Sequence, residues 1–470
     1  DRLPDLALKV LRDFMMPEKS EIGEDAIFKE TYFRSVKDAL VRNLSNYFQA
    51  HRADLHAQYY RDLLMSSESD GIDTALAAVE SATLDSVKEH HRRLLQNKEM
   101  KIECLYSGNV PESQARDFYS RASGIVREAT EKARGEINGS SGVSESHTVE
   151  PWVPGPSEKR ILSGNDIELH FASKNPSEEN GAVLVTYQSQ IPGFKGETIS
   201  LEESLRSSAS MRLLCSMLRE PLFNNLRTKQ QLGYIVSSYY DLGFSGRAPF
   251  EACDGPITVP IDFITINVLS RKMPPPEIKL RIDEFLGGFR ETLLTMPESE
   301  IKNHANALSK KMLKPIQKLG QEASSQFSKI RRYAPEVLAT GGTDKDLPWE
   351  SVKTLAYEIE TLGRDDLLQT WDRMMTKNER SRVVSCVYGK TFPLEESLKA
   401  LPPHAIVNRV DDLIELRSGL KPFDHSVPTI ERHGFTRAFG VASRTSLGLT
   451  AAAVASAAVF GWSSSKRGKR

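Results

Sequence analysis

At 470 residues the chain is too long for one ordinary hydrophobic core, and 39% hydrophobic with 27% charged residues excludes a disordered polymer. With 62 Lys and Arg against 63 Asp and Glu the net charge is -1, so the global basic field of a nucleic-acid-binding protein is missing and no nucleic acid is expected as partner. Cys104, Cys215, Cys253 and Cys386 lie far apart and form no CxxC pair, which excludes a disulfide framework and a cysteine-based zinc site. Cys104 and Cys386 sit in apolar strand-like runs and read as buried reduced thiols.

In chain order, residues 27–65 read as one or two long amphipathic helices: Phe28, Phe33, Val36, Leu40 and Leu44 recur at three- and four-residue steps, and Leu55, Tyr59 and Leu63 continue the pattern. Thr83 is a capping residue for a helix to about Gln96. Residues 101–107 alternate as a strand that closes at Gly108. Gly135 to Pro156 is rich in Gly, Ser, Glu and Pro without periodicity and is expected to be a linker.

After the linker come strands at 167–171 and 182–187, a helix at 203–219, helices at 277–295 and 298–333, a helix at 364–375, and a strand at 382–388 ending at Gly389. The order of helix pair, helix and closing strand thus occurs twice. Leu40 and Tyr59 match Leu308 and Phe327, both 268 positions apart. This predicts an α+β fold of two homologous domains, each an antiparallel sheet with packed helices. The first lacks its own opening strands and reads as truncated, so the chain is expected to be a fragment or a separately encoded half. The expected division is 1–134, the linker 135–156, a second domain at 157–425 and a tail at 426–470. Within the tail, 447–462 is uncharged and bounded by Arg444 and Lys466, a candidate membrane segment that leaves membrane association as an expectation.

No HxxEH, HExxH, GxSxG or GxxxxGK[ST] is present. His51 and His56 diverge around a helix, and the adjacent His90 and His91 point about 100° apart, so neither pair reads as a metal site. His425 and His433 lie in a loop-like tail. Metal ligands and catalytic residues are therefore expected to be absent from this chain.

Residues 213–236 carry more information. An apolar helix face (Leu213, Leu214, Met217, Leu218) meets Pro221, and a short amphipathic stretch then carries Arg227 at its polar edge. Gly233 permits a change of direction, and Tyr234 opens a strand. A forked cation and a phenol at such a junction can hold a peptide carbonyl or support an oxyanion. Equally, Arg227 can pair with Glu220 while Tyr234 fills a core.

The run Leu226-Arg-Thr-Lys-Gln-Gln-Leu-Gly-Tyr-Ile-Val236 resembles the signature of the fourth domain of the insulysin, nardilysin and pitrilysin family, and Glu220-Pro-Leu-Phe-Asn-Asn225 is similar to the same family. Further likeness lies in His56-Ala-Gln-Tyr-Tyr-Arg-Asp-Leu-Leu64, Leu105-Tyr-Ser-Gly-Asn109, Leu313-Lys-Pro-Ile-Gln-Lys-Leu319 and Arg417-Ser-Gly-Leu-Lys-Pro-Phe423, and spans about 25–425. Tyr239 to Pro260 reads as a loop longer than that family's hairpin loop, and the tail departs from its pattern. What the resemblance implies is the C-terminal half, third and fourth domains, of a zinc metalloendopeptidase acting on short flexible peptides. Zinc and its inverted HxxEH site would lie in an N-terminal catalytic half, and Arg227 and Tyr234 would bind substrate and support the transition state. The alternative it implies is a catalytically silent scaffold or partner subunit of the same fold.

Overall fold

The computed structural model describes residues 3–17, 28–66, 71–96, 110–139, 160–162, 164–189, 201–248, 257–318, 320–325, 351–376, 380–399 and 406–422. The expected strand at 101–107, the end of the helix expected to reach 333 and the apolar run 447–462 lie outside them. Among the described residues no helix is long and apolar enough to cross a membrane.

Helices fill the first third: α1 (Leu3–Met15), α2 (Glu30–Ser45), α3 (Tyr47–Ala50), α4 (Ala53–Met65), α5 (Ile72–Ser81), α6 (Leu84–Gln96) and α7 (Glu112–Gly139). α7 continues past Gly135, where the linker was expected to begin. Then follow β1 (Arg160–Ile161), β2 (Asp166–Ala172), β3 (Gly181–Gln188), α8 (Leu201–Leu222), a π-helix (Phe223–Lys229), β4 (Ile235–Ala248) and β5 (Ile257–Ser270). α9 (Pro275–Thr295), α10 (Glu298–Leu313), α11 (Ser351–Thr361), α12 (Arg364–Met375), β6 (Ser381–Tyr388), α13 (Leu394–Leu398), β7 (Ile406–Val407), α14 (Val410–Gly419) and β8 (Lys421–Pro422) complete it.

The α+β class holds. The main sheet has the order β4-β5-β3-β6-β2-β7. Its β4–β5, β5–β3 and β3–β6 pairs are antiparallel, with Val185 facing Ile266 on one side and Val384 on the other. The sheet is nonetheless mixed rather than wholly antiparallel, because β2 runs parallel to both β6 and β7. Parallel neighbours need a long crossover, and the helices between β2 and β6 supply it.

Every residue of β3 and β6 is buried, as expected of strands covered on both faces. Val183, Val185, Tyr187, Val384 and Cys386 face a core built with α8, α9, α10 and α12. Ala182, Leu184, Val383 and Val387 face the other way, onto Tyr60, Leu63 and Leu64 of α4 and Leu413 of α14. The outer face of this sheet is therefore covered by a helix from the first third of the chain. Polar contacts fix the same seam: Ala53 N donates to Glu178 Oε2 at 3.0 Å, Arg61 Nη1 to Thr265 Oγ1 at 3.3 Å, and Arg417 Nη1 to the Ser66 carbonyl at 3.1 Å.

Two helix ends share one device. Lys37 on α2 donates to the carbonyls of Glu80 and Ala82 at the end of α5, at 2.7 and 2.8 Å. Lys302 on α10 does the same for Glu360 and Leu362 at the end of α11, at 3.1 and 3.0 Å. In each case a cation satisfies orphan carbonyls at a helix C-terminus.

Two expected boundaries move. The helix expected over 298–333 stops at Leu313, because Lys314 precedes Pro315 and is driven into an extended conformation (ψ 124°). The segment 239–260, expected as a loop, is mostly strand: β4 pairs with β5 as far as Ala248 opposite Ile257, with a bulge between Gly243 and Gly246. Pro260 falls at that irregularity, where a missing N–H costs no ladder bond.

Candidate functional site: the junction between the π-helix and the edge strand

α8 is buried along its length through Leu213, Leu214, Leu218 and Leu222, which presses it against the sheet. Beyond Pro221 the backbone widens to π-helical pairing, and Gln230 N donates to the Asn225 carbonyl at 3.0 Å. π-Segments are rare and re-aim the side chains they carry. Leu226 and Leu232 stay buried and clamp the turn, and Leu232 N donates to the Leu226 carbonyl at 2.9 Å. Gln231 takes φ 53°, the left-handed region, so the chain reverses sharply before β4.

This reversal brings Arg227 and Tyr234 together. The guanidinium carbon of Arg227 lies 5.9 Å from the Tyr234 ring centroid and 5.0 Å from that of Phe223. Tyr234 is 75% exposed, so it does not fill a core. Arg227 is exposed and makes no ion pair with Glu220, so that alternative falls too. The result is an exposed cation seated between two aromatic rings, whose quadrupoles attract it and leave its N–H edges facing solvent.

Two neighbours escaped the reading of the sequence. Phe223 stands four residues before Arg227, a spacing that places two helical side chains side by side and was available as a signal. Arg52, just before α4, had none, being far away in the chain. Its guanidinium donates to both carboxylate oxygens of Asp54 at 3.1 Å. That bond holds Arg52 above its ordinary pKa, and the Glu178 carboxylate and the Tyr234 phenol lie within electrostatic reach and act in the same direction.

The histidines are structural. His56 is fully buried; its Nε2 donates to the Phe48 carbonyl at 2.8 Å, and Ser173 Oγ lies 3.4 Å from Nδ1. His51 donates to the Tyr47 carbonyl at 2.6 Å, and His91 to that of Phe14 at 2.8 Å. Cys215 and Cys386 are free and buried, and burial pushes the Cys215 thiol up to about 11. Among the described residues no three His, Cys, Asp or Glu side chains converge, so this donor set does not fit a zinc ion.

Residues 81–308 match the model of the peptidase M16 inactive domain. The chain is 24% identical over 420 residues to insulin-degrading enzyme of Mus musculus, covering 85% of this chain and 35% of that protein. It is 24% identical over 347 residues to a nardilysin-like protein of Arabidopsis thaliana, covering 71% and 28%. The crystal structure of pitrilysin superposes with a TM-score of 0.61 at 16% identity, covering 90% of this chain and 37% of that one. The M16 likeness thus rests on residues 81–308, and the chain fits the C-terminal half of an insulysin- or pitrilysin-like protein. It spans about a third of the length of the curated relatives it matches.

Proposed function

We propose that this chain is the non-catalytic half of a zinc-dependent endopeptidase, closing a chamber around short flexible peptides and positioning them. The zinc and its ligands would belong to an N-terminal catalytic half, in the same or another polypeptide. The observation that carries the reading is the exposed Arg227 guanidinium held between Phe223 and Tyr234. A preorganised guanidinium and phenol donate to a peptide carbonyl without paying for their own reorganisation, and they strengthen as that oxygen gains charge. Their anchorage is rigid, since Leu222, Leu226 and Leu232 are all buried on either side.

The experiment is peptide hydrolysis by this chain together with its zinc-bearing half. Arg227→Ala and Tyr234→Phe are each expected to lower turnover with zinc content unchanged. Unchanged turnover in both variants would overturn the assignment.

A further inference from the structure

β4 is an edge strand, and Val236, Ser238 and Tyr240 alternate onto the face that α8 covers. Further along that face a cleft of about 310 Å³ opens between α8, β4 and α10. Arg212, Ser216 and Arg219 line it from α8, Tyr240 from β4 and Lys311 from α10. The Arg212 guanidinium carbon lies 4.9 Å from the Tyr240 ring centroid, and Arg219 Nε donates to the Ser238 carbonyl at 3.3 Å. Both arginines are thereby held at the wall of the cleft.

Among the described residues no carboxylate lines this cleft, and none of its three cations forms an ion pair. Cations nearby are paired: Arg206 of α8 sits on Glu358 and Asp366, and Arg290 of α9 on Asp372. Asp262 lies behind Tyr240, itself buried and taking hydrogen bonds from the Ser208 and Tyr240 hydroxyls. The Cys215 thiol at the cleft is kept neutral by burial and adds no negative charge. Three converging cations and an adjacent hydroxyl, with no carboxylate lining the cleft among the described residues, form a receptor for an oxyanion.

We propose that the Arg212–Arg219–Lys311 cleft binds an acidic side chain of an extended peptide that runs along β4 from Tyr234, making acidic peptides the preferred ligands of this half. This rests on the reading that Arg227 and Tyr234 contact peptide. The oxyanion could be a peptide carboxylate or a free phosphate. A carboxylate is favoured because the cleft is lined by Tyr240 of β4, the strand that Tyr234 immediately precedes.

The test compares two labelled peptides, one carrying a Glu-Asp pair and one with Gln-Asn in its place, binding the 470-residue chain by fluorescence anisotropy. The acidic peptide is expected to bind roughly tenfold more tightly at low salt, the ratio shrinking at about 1 M salt. Arg212→Gln with Lys311→Gln removes the preference, so that the two peptides bind alike. Lys311→Glu, at an exposed position, lowers the acidic peptide's advantage further than Lys311→Gln does. Arg227→Ala weakens both peptides equally, so failure of the pair's role shows separately as no effect of that variant. Equal affinities for the two peptides, or a preference that survives in the double variant, overturn the proposal. So does inorganic phosphate binding that the double variant abolishes while the two peptides bind alike.

Discussion

Gly233 lies so close to the Leu269 carbonyl that a Cβ at position 233 would stand 2.1 Å from that oxygen. The contact is backbone against backbone, so neither side can turn away. It fixes where β4 begins and therefore where the Tyr234 phenol projects, opposite the Ile235–Leu269 pair. Gly233→Ala is expected to cost about 1–3 kcal/mol by overpacking and to displace Tyr234 from Arg227. Urea denaturation reads the first effect, and peptide turnover, lowered as in Tyr234→Phe, reads the second.

Because α4 covers the outer face of the main sheet, Leu64 is a joint between the first third of the chain and the rest. It is fully buried among sheet side chains. Leu64→Ala is expected to cost about 2–5 kcal/mol through lost transfer energy and a residual cavity. Thermal unfolding followed by circular dichroism should lower the melting of α4 and of the sheet together.

Arg382 ties three elements from the centre of the sheet. It is 1% exposed, makes a paired hydrogen bond to Asp166 at 2.6 and 2.9 Å, and reaches Asp283 at 2.8 Å. Removing one member of a buried ionic group leaves the others uncompensated. Since Asp166 and Asp283 are partly solvated, Arg382→Ala is expected to cost about 3 kcal/mol, the low end for such groups. Arg382→Met, which keeps the volume, should cost less in the same denaturation measurement.

His56 makes stability depend on acidity. Burial lowers its pKa below the ordinary 6.5, with the Phe48 hydrogen bond opposing in part. In the window between the folded value and about 6.5 the unfolded chain binds the extra proton, so stability rises with pH there. It falls as pH drops below about 6.5 and levels off once the folded-state pKa is passed. His56→Gln should flatten that part of a stability-versus-pH curve measured by urea titration, even though it lowers the curve as a whole.

Much of this was readable from residue order. β3 and the Val383–Val384 and Cys386–Val387 stretches of β6 are apolar because both faces of these strands are covered. What was not legible depended on partners distant in the chain. Asp54, His56 and Arg61 of α4 find their partners Asn267, Ser173 and Thr265 on the sheet side, far away in the chain. The glycines and prolines of 239–260 read as a loop because a bulged, twisted hairpin needs the same residues as a turn. For the site, the motif pointed to Arg227 and Tyr234, but Phe223 beneath Arg227 and Arg52 beside Tyr234 came only from the fold.

The most direct measurement is a double-mutant cycle on kcat/KM for peptide cleavage by this chain together with its zinc-bearing half, using Arg227→Ala, Tyr234→Phe and the pair. Since the guanidinium lies over the Tyr234 ring, the two are expected to act as one unit. Each single change should then lower kcat/KM by roughly a hundredfold, and the double change by little more than either alone, with zinc content constant. Wild-type kcat/KM in both single variants would contradict a role for this pair in holding the peptide.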